Sequence, residues 1–485
     1  MVTKAKALTS AAIAARVAAN RSGRRICACR RIPNLTRPIT HLTAAGTAAN
    51  SSPAAMTEID ANCQLNAWGR ACADRSHGPL SDGTIAESIS EGDMPGDGNQ
   101  SDGHGGTGTL PYPTGRFPVG RSSLEILDPT RAEIYSDNPA DKRELVTWIW
   151  YPAAALTGSE PAVYVPAAWQ SVDQLLGVNL AAVRCYAISD PPLSGSLPSF
   201  PVLFFSPSGF PPLMWAAIAE ELASHGYVVV GVNHTYETTV TAFSDGRIKQ
   251  TNPAAIAGVL GPQEGPRDAA FRSRGAVCDY KAADLRSVAD WLASGGAGPR
   301  FDQRLDLGRL GAFGHSFGGN AALEWCRNDV RCRASANLDG ALWSEVGSNG
   351  LSRPALQILA DHHEFDLSPD DAVAAGMAPD PAWFVAEKSI AFGGWRTVDR
   401  TARPAYTVQV RGATHVSFMD VPFLPLRPNA PIAGLLAATS IDAELMWRIV
   451  TQLLLAFFGE TLDGPASPGV EEVAGRYSAV TVGAP

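Results

Sequence analysis

The motif Gly-His-Ser-Phe-Gly-Gly at residues 314–319 has the composition of a tight turn that presents a nucleophilic serine. It follows a short apolar run at 310–313 and precedes a helix-like run at 320–326. Gly314 and Gly318 let the backbone pass close to itself, where a Cβ atom would crowd the turn. A helix that begins just after Ser316 directs its first N–H groups at an oxyanion formed beside the serine. The pattern indicates acyl transfer, against the alternative of a chance turn.

A serine hydroxyl is a weak nucleophile at neutral pH, so it needs a general base within hydrogen-bonding reach. Three histidines lie after Ser316 in the chain: His362, His363 and His415. His415 lies in a loop after the last predicted strand, where a base belongs, and we expect it to be the base. The other two are expected to cap a strand end or line the cleft, and His315 is expected to face away and pack.

The base in turn needs a carboxylate that fixes its tautomer. Asp339 follows the apolar run 334–338, and Asp361 follows the run 355–360. Both aspartates are therefore expected at strand ends, between the serine and the histidine in chain order. Topology alone does not choose between them, and either one could be a structural residue at a strand end.

An oxyanion site needs two backbone N–H donors. One is expected from Phe317, directly after the serine, and the other from the loop 206–212. Three residues of that loop are prolines, which have no N–H, so the second donor must be Ser208, Gly209 or Phe210.

Strands and helices alternate along the predicted domain, which implies a mostly parallel central sheet with helices on both faces. Strands are predicted near 124–127, 144–151, 201–206, 227–233, 310–313, 334–338, 355–360 and 406–410, and helices at 213–225, 277–294, 320–326 and 441–458. The fold class is therefore α/β, with an α/β-hydrolase fold. Ligands of such sheets bind at the carboxyl ends of the strands, where all the candidate residues fall.

Composition limits the partners that the chain could have. Of 485 residues, 18% are charged, and the net charge of −9 argues against nucleic acid and against a polybasic membrane anchor. No stretch has the ~20 apolar residues of a membrane span. No Cys/His set has zinc-ligand spacing, and we expect neither a metal nor a cofactor. The expected partner is a small-molecule or lipid ester, and the expected protein is soluble, either cytoplasmic or exported.

Three regions are predicted from the distribution of charge, glycine and proline. Residues 1–110 are expected to be a disordered or targeting segment, or an over-extended start; 111–463 form the catalytic domain; 464–485 form a flexible tail. Cys326 and Cys332 lie where the helix after Ser316 ends and the next strand begins. A disulfide between them, as opposed to two free thiols, would favour an exported protein.

Over roughly residues 111–460 the chain resembles the α/β-hydrolase family of the plasma-type platelet-activating-factor acetylhydrolases and their microbial relatives. The motifs that carry the resemblance are Pro-Thr-Gly at 113–115, Pro-Val-Gly at 118–120, Trp-Tyr-Pro-Ala at 150–153, Phe-Ser to Gly at 205–209, Leu-Ala-Ser-His-Gly-Tyr at 222–227, the 314–319 motif, Leu-Asp at 338–339 and Arg-Gly-Ala-Thr-His at 411–415.

The resemblance implies that Asp339 is the acid and His415 the base, with Phe317 and Gly209 as oxyanion donors. It also implies calcium-independent hydrolysis of short or oxidised acyl groups at the sn-2 position of phospholipids. The chain has Ser-Pro-Ser at 206–208 where members often have Ser-His-Gly. This difference affects which N–H points into the site and how a substrate fits beside it.

We therefore expect a metal-independent serine esterase. One alternative is a general short-chain carboxylesterase or a polyester hydrolase. An alternative of another class is a non-catalytic binding protein on the same fold, against which the intact set of Ser316, Asp339 and His415 argues.

Overall fold

The computed structural model describes residues 106–155, 158, 160–262, 265–427, 429–462 and 468–483. The predicted N-terminal segment therefore lies outside the described residues, except for its last five positions. Those five are attached to the domain. The Gly106 N–H donates to the Leu424 carbonyl at 3.0 Å, and Leu110 is buried and donates to Arg184 at 3.0 Å.

Thirteen strands lie within the described residues. They are β1 (Val119–Ala132), β2 (Lys142–Pro152), β3 (Pro161–Val163), β4 (Arg184–Ser189), β5 (Phe200–Ser206), β6 (Val228–Asn233), β7 (Val240–Ala242), β8 (Ile248–Gln250), β9 (Leu305–His315), β10 (Cys332–Leu338), β11 (Ala355–Leu359), β12 (Ala405–Val410) and β13 (Val480–Val482).

Eleven α-helices lie between the strands in the same part of the chain. They are α1 (Gln170–Leu176), α2 (Ala216–Ser224), α3 (Pro253–Leu260), α4 (Arg267–Ala293), α5 (Phe317–Asn328), α6 (Glu345–Asn349), α7 (Pro369–Ala374), α8 (Pro381–Thr401), α9 (Ala433–Leu436), α10 (Ala443–Thr461) and α11 (Val470–Ala474). Short 3₁₀ turns include Pro212–Trp215, His363–Asp366 and His415–Phe418.

Eleven of the strands form one sheet, in the order β13-β12-β11-β10-β9-β5-β6-β2-β1-β4-β3. The six neighbours from β12 to β6 are mutually parallel, whereas β2 and β13 join this group antiparallel at its two sides. This arrangement confirms the predicted mostly parallel sheet. The carboxyl ends of β5, β9, β10, β11 and β12 lie on one edge, which is where the site forms.

Apolar side chains alternate between the two faces of the sheet and form two separate clusters. In β11, for example, Leu356 and Ile358 belong to the cluster that includes α2 and α10. Ala355 and Leu359 belong to the cluster on the other face, with α4, α5 and α8. Helices therefore bury both faces, as the fully apolar central runs predict.

The predicted flexible tail, residues 464–485, is in part ordered. Residues 464–467 lie outside the described residues, but 468–483 contain α11 and β13. Val470, Val473 and Ala474 are buried, and β13 pairs with β12 from Val410–Val480 to Val408–Val482. The prediction was based on the Gly/Pro/Ser-rich composition of the segment. It missed two short elements, α11 and β13, that are stabilised by packing on the domain.

Cys326 and Cys332 form the predicted disulfide, with their Cα atoms 4.9 Å apart. It joins the last turn of α5 to the first residue of β10. The helix after Ser316 and the strand before Asp339 are thus covalently connected, besides being adjacent along the chain.

Candidate active site

Ser316 stands between the last residue of β9 and the first residue of α5, with a φ of 58°. Its N–H donates to the Leu338 carbonyl at 3.0 Å, which ties the turn to the next strand. A Cβ atom at Gly318 would overlap the Ser206 carbonyl, and one at Gly314 would overlap the Gly318 carbonyl. The two glycines therefore allow the close backbone approach that the motif predicts.

Asp339 follows β10 and is also held at positive φ, 56°. One carboxylate oxygen, Oδ1, accepts the Ala360 N–H at 2.7 Å; the other, Oδ2, lies 2.6 Å from His415 Nδ1. Burial alone would raise the pKa of Asp339, but His362 and His415 hold it well below its usual range. The carboxylate is thus ionised at neutral pH and directs the Nδ1–H of His415 toward itself.

His415 begins the 3₁₀ turn that follows β12, and the side chains of Thr414 and Ser417 cap this turn reciprocally. About 26% of its side chain is exposed, whereas the Asp339 side chain is fully buried. Because Nδ1 faces Asp339, the other ring nitrogen is the one that can serve a reacting group.

Asp361 lies near the same loop but contacts its backbone. Its Oδ2 accepts the Gly412 N–H at 2.8 Å and lies 3.0 Å from His363 Nε2, and its own N–H donates to the Ala413 carbonyl. These contacts position the loop that carries His415. In the structure, Asp339 thus contacts the ring of His415, whereas Asp361 contacts the backbone of the loop that precedes His415.

His315 packs, as expected, but it faces His415 and does not point away from it. The two ring centroids are 4.4 Å apart, and the His315 Nε2–H donates to the His415 carbonyl at 2.9 Å. Burial and the neighbouring His415 lower the pKa of His315 to about 3. The His315 ring is therefore neutral, and it positions His415 by packing against its ring and by hydrogen bonding to its carbonyl.

The candidate oxyanion donors lie on both sides of Ser316. Phe317 is the first residue of α5, so its N–H has no acceptor within the helix. In the loop after β5, the Phe210 N–H donates to the Ser208 carbonyl at 2.7 Å. Gly209 has a φ of 69°, and its carbonyl accepts from Thr239 at 2.8 Å. The engaged Phe210 N–H leaves Ser208 and Gly209 as the loop's candidates.

A buried polar chain behind this loop was missed from the sequence. The Ser206 hydroxyl lies 2.9 Å from His234 Nε2, and His234 Nδ1 lies 2.9 Å from Asp284 Oδ2. Burial, with Lys281 nearby, lowers the pKa of His234 to about 3, so the neutral ring donates to Asp284 and accepts from Ser206. The available signal was that Ser206 and His234 lie at the ends of neighbouring strands. The spacing of residues in the sequence could not predict that His234 contacts Asp284 of α4.

The sequence predicts only that His362 caps a strand end or lines the cleft. In the structure its ring lies beside Asp339, with Nε2 2.9 Å from Oδ1.

Within the described ranges, no group of three or more His, Cys, Asp or Glu side chains could hold a metal ion. No helix in this part of the chain is both long and apolar enough to cross a membrane.

Comparison with known proteins gives a match to the family model "Platelet-activating factor acetylhydrolase, isoform II" over residues 104–256. The match covers 153 of the 485 residues. The matched segment begins two residues before the described part of the chain, includes the loop after β5, and ends within α3, before Ser316.

Two curated relatives carry corresponding names. One is a probable 1-alkyl-2-acetylglycerophosphocholine esterase of Arthroderma benhamiae, 28% identical over 261 residues. The other is a platelet-activating factor acetylhydrolase of Cavia porcellus, 24% identical over 280 residues. The alignments cover 50% and 54% of this chain, and 61% and 58% of the relatives. The chain thus spans less than two thirds of each relative.

Among solved structures, a ferulic acid esterase from Streptomyces cinnamoneus superposes with a TM-score of 0.59 and 28% identity. The superposition covers 77% of this chain and 98% of that one. Together with the sheet order, this similarity establishes the α/β-hydrolase fold.

Proposed function

We propose that the protein is a serine-dependent carboxylic ester hydrolase. The observation that carries the proposal is the 2.6 Å contact between Asp339 Oδ2 and His415 Nδ1, at the strand ends beside the strained Ser316 turn. A histidine whose Nδ1–H is held by a carboxylate presents Nε2 as the atom that accepts a serine proton. The names of the relatives and of the structural neighbour, all esterases or acetylhydrolases, support the same reaction class.

In the proposed reaction, Ser316 Oγ attacks the ester carbonyl carbon while its proton passes to His415 Nε2. The resulting oxyanion is bound by the N–H groups of Phe317 and Gly209. His415 then protonates the leaving alkoxide as the carbon–oxygen bond breaks, which leaves an acyl group on Ser316. Water repeats the sequence, with His415 as base, and releases the carboxylic acid.

For the substrate, we propose an ester with a short acyl group, and as first candidate the sn-2 acetyl group of a glycerophosphocholine. The family match and the names of both curated relatives support this choice. A hydroxycinnamate ester such as a ferulate is the second candidate, because the ferulic acid esterase is matched over nearly its whole length.

A substrate panel with matched variants tests the proposal. We would measure kcat/KM for a 1-alkyl-2-acetyl-glycerophosphocholine, methyl ferulate, and p-nitrophenyl esters of rising acyl length. Wild type should cleave short acyl esters, and Ser316→Ala and His415→Gln should lose at least about 10,000-fold. A folded wild type that binds but cleaves none of these esters would instead support a binding protein.

A further inference from the structure

A second imidazole contacts Asp339 on the side opposite His415. His362 Nε2 lies 2.9 Å from Asp339 Oδ1, and His362 Nδ1 lies 2.7 Å from Glu364 Oε1. The chain of side chains that starts at His415 therefore continues through Asp339 and His362 to Glu364. Glu364 is partly exposed, with 23% of its side chain accessible, whereas the His362 side chain is only 5% exposed.

The position of His362 is fixed by packing. Its ring stacks on Trp395 of α8, with centroids 4.9 Å apart and planes 26° apart. Trp395 Nε1 donates to the Gly340 carbonyl at 2.9 Å, so this aromatic platform is anchored to the residue after Asp339. A Cβ atom at Gly340 would overlap the Ser316 carbonyl, which connects the same segment to the nucleophile turn.

Two carboxylates face His362, and an uncharged side chain of α8 packs against it. Asp339 faces it from the end of β10, and Glu364 from its own segment. From α8, the uncharged Trp395 stacks on His362, and the Lys388 Nζ donates to the Phe365 carbonyl. Although burial opposes it, the Asp339 carboxylate raises the pKa of His362 to about 10. His362 is thus an imidazolium between two carboxylates at neutral pH.

We propose that His362 and Glu364 are a positioning pair that sets how much negative charge Asp339 presents to His415. The inference rests on the proposed function, because the charge matters to catalysis only if His415 is the base. His362 offsets the charge of Asp339 and thereby limits stabilisation of protonated His415. Glu364 offsets His362 in turn. The pair thereby sets where the acid limb of the pH profile of the proposed ester hydrolysis lies.

The two residues should therefore act with opposite sign. Removing the positive charge at His362 leaves Asp339 and Glu364 both negative, which favours protonated His415. The acid limb of the kcat/KM profile then moves to higher pH. Removing the negative charge at Glu364 strengthens the offset by His362, and the limb moves to lower pH. A residue that only packs would lower the rate and leave the limb in place.

The test compares kcat/KM from pH 4.5 to 9 for wild type, His362→Gln and Glu364→Gln. His225→Gln is the matched control, since this histidine also lies beside a glutamate, with Nε2 3.0 Å from Glu221 Oε1, but follows α2 outside the site. We expect the acid limb to rise by about one pH unit in His362→Gln and to fall in Glu364→Gln. We expect no shift in the control. Shifts in the same direction, or none in either variant, would overturn the inference.

A measurement on the unaltered protein separates failure of this inference from failure of the proposed function. With ¹⁵N-labelled histidine, one imidazolium signal should persist at pH 8.5, where solvent-exposed histidines have lost their proton. Absence of any imidazolium at that pH overturns the pair even if the ester assays succeed. If the imidazolium is present but the protein cleaves no ester, the charge on His362 is supported and the proposed ester hydrolysis is contradicted.

Discussion

Ser316 and Asp339 both have positive φ without being glycine, and such conformations cost about 1–3 kcal/mol each. The surrounding contacts maintain them: the Ser316 N–H bonds to Leu338, and the Asp339 N–H bonds to Ile358. At the residue scale, the site is a set of strained backbone positions held between neighbouring strands. Gly314 and Gly318 allow the close backbone approach at Ser316.

Gly318→Ala should disrupt the site, because its Cβ would overlap the Ser206 carbonyl, which is backbone and cannot rotate away. We expect a loss of about 2–4 kcal/mol in unfolding free energy and at least about 100-fold in kcat/KM. Gly393→Ala is the control, since a Cβ there meets open space within α8. It should leave activity unchanged and add up to about 1 kcal/mol of stability. Equal effects in both variants would contradict the role assigned to Gly318.

The choice of acid is tested by one pair of isosteric changes. Asp339→Asn loses the carboxylate that holds His415 Nδ1, and kcat should fall about 10,000-fold. Asp361→Asn keeps an oxygen that can accept the Gly412 N–H, and kcat should fall less than about tenfold. Steady-state kinetics of both purified variants checks this. An active Asp339→Asn beside an inactive Asp361→Asn would reverse the assignment.

At the element scale, the position of His415 depends on β12 and on the strand that covers its edge. The Arg411 N–H, just after β12, donates to the Ala479 carbonyl at 2.8 Å, and Val410 pairs with Val480. The sequence predicted β12 at residues 406–410 but missed β13. Three residues give too short a pattern, and their stability comes from the ladder that they join.

Deleting residues 478–485 should therefore weaken the site from a distance. The lost ladder and the bonds to Arg411 should lower the unfolding free energy by about 2–3 kcal/mol, and greater mobility of the His415 loop should lower kcat. Val482→Ser is the control, because it changes an exposed side chain and keeps the strand. Full activity and stability in the deletion variant would contradict this prediction and would indicate that the segment behaves as a flexible tail.

Elements with a strong local pattern were predictable, and those defined by partners were not. The apolar run 201–206 corresponds to β5, and the run 227–233 to β6. Helix α4 begins ten residues before its predicted start, since residues 267–276 are largely polar. Helix α8 was missed, although Asp380 caps it and Pro381 occupies its first turn. Its half-polar sequence is stabilised by packing against β11 and β12.

At the scale of the whole molecule, chain order predicted which strand ends carry the site. Topology alone left Asp339 and Asp361 equivalent, because both follow strands of the same sheet, and the family resemblance favoured Asp339. In the structure, Asp339 lies at the His415 ring and Asp361 at the loop backbone. The contacts of His362 and of His234 could not be predicted for the same reason, since they join residues distant in the chain.

We propose that residues 1–103 are not needed for folding of the domain. A chain that starts at residue 104, where the family match begins, retains the Gly106 and Leu110 contacts. Its Tm should lie within about 2 °C of the full chain, with unchanged kcat/KM. A chain that starts at residue 112 loses both contacts and should melt lower. A large loss of Tm already at residue 104 would show that the preceding segment contributes to the fold.

The central claim is that Ser316 is an activated nucleophile, and labelling by a fluorophosphonate probe tests it most directly. The full-length protein would be treated at pH 7.5, and the modified peptide mapped by mass spectrometry. Ser316→Ala and heat-denatured protein serve as controls. The account predicts one adduct, on Ser316, in the folded wild type and none in either control. A folded wild type with no adduct, or an adduct that persists in Ser316→Ala, would contradict it.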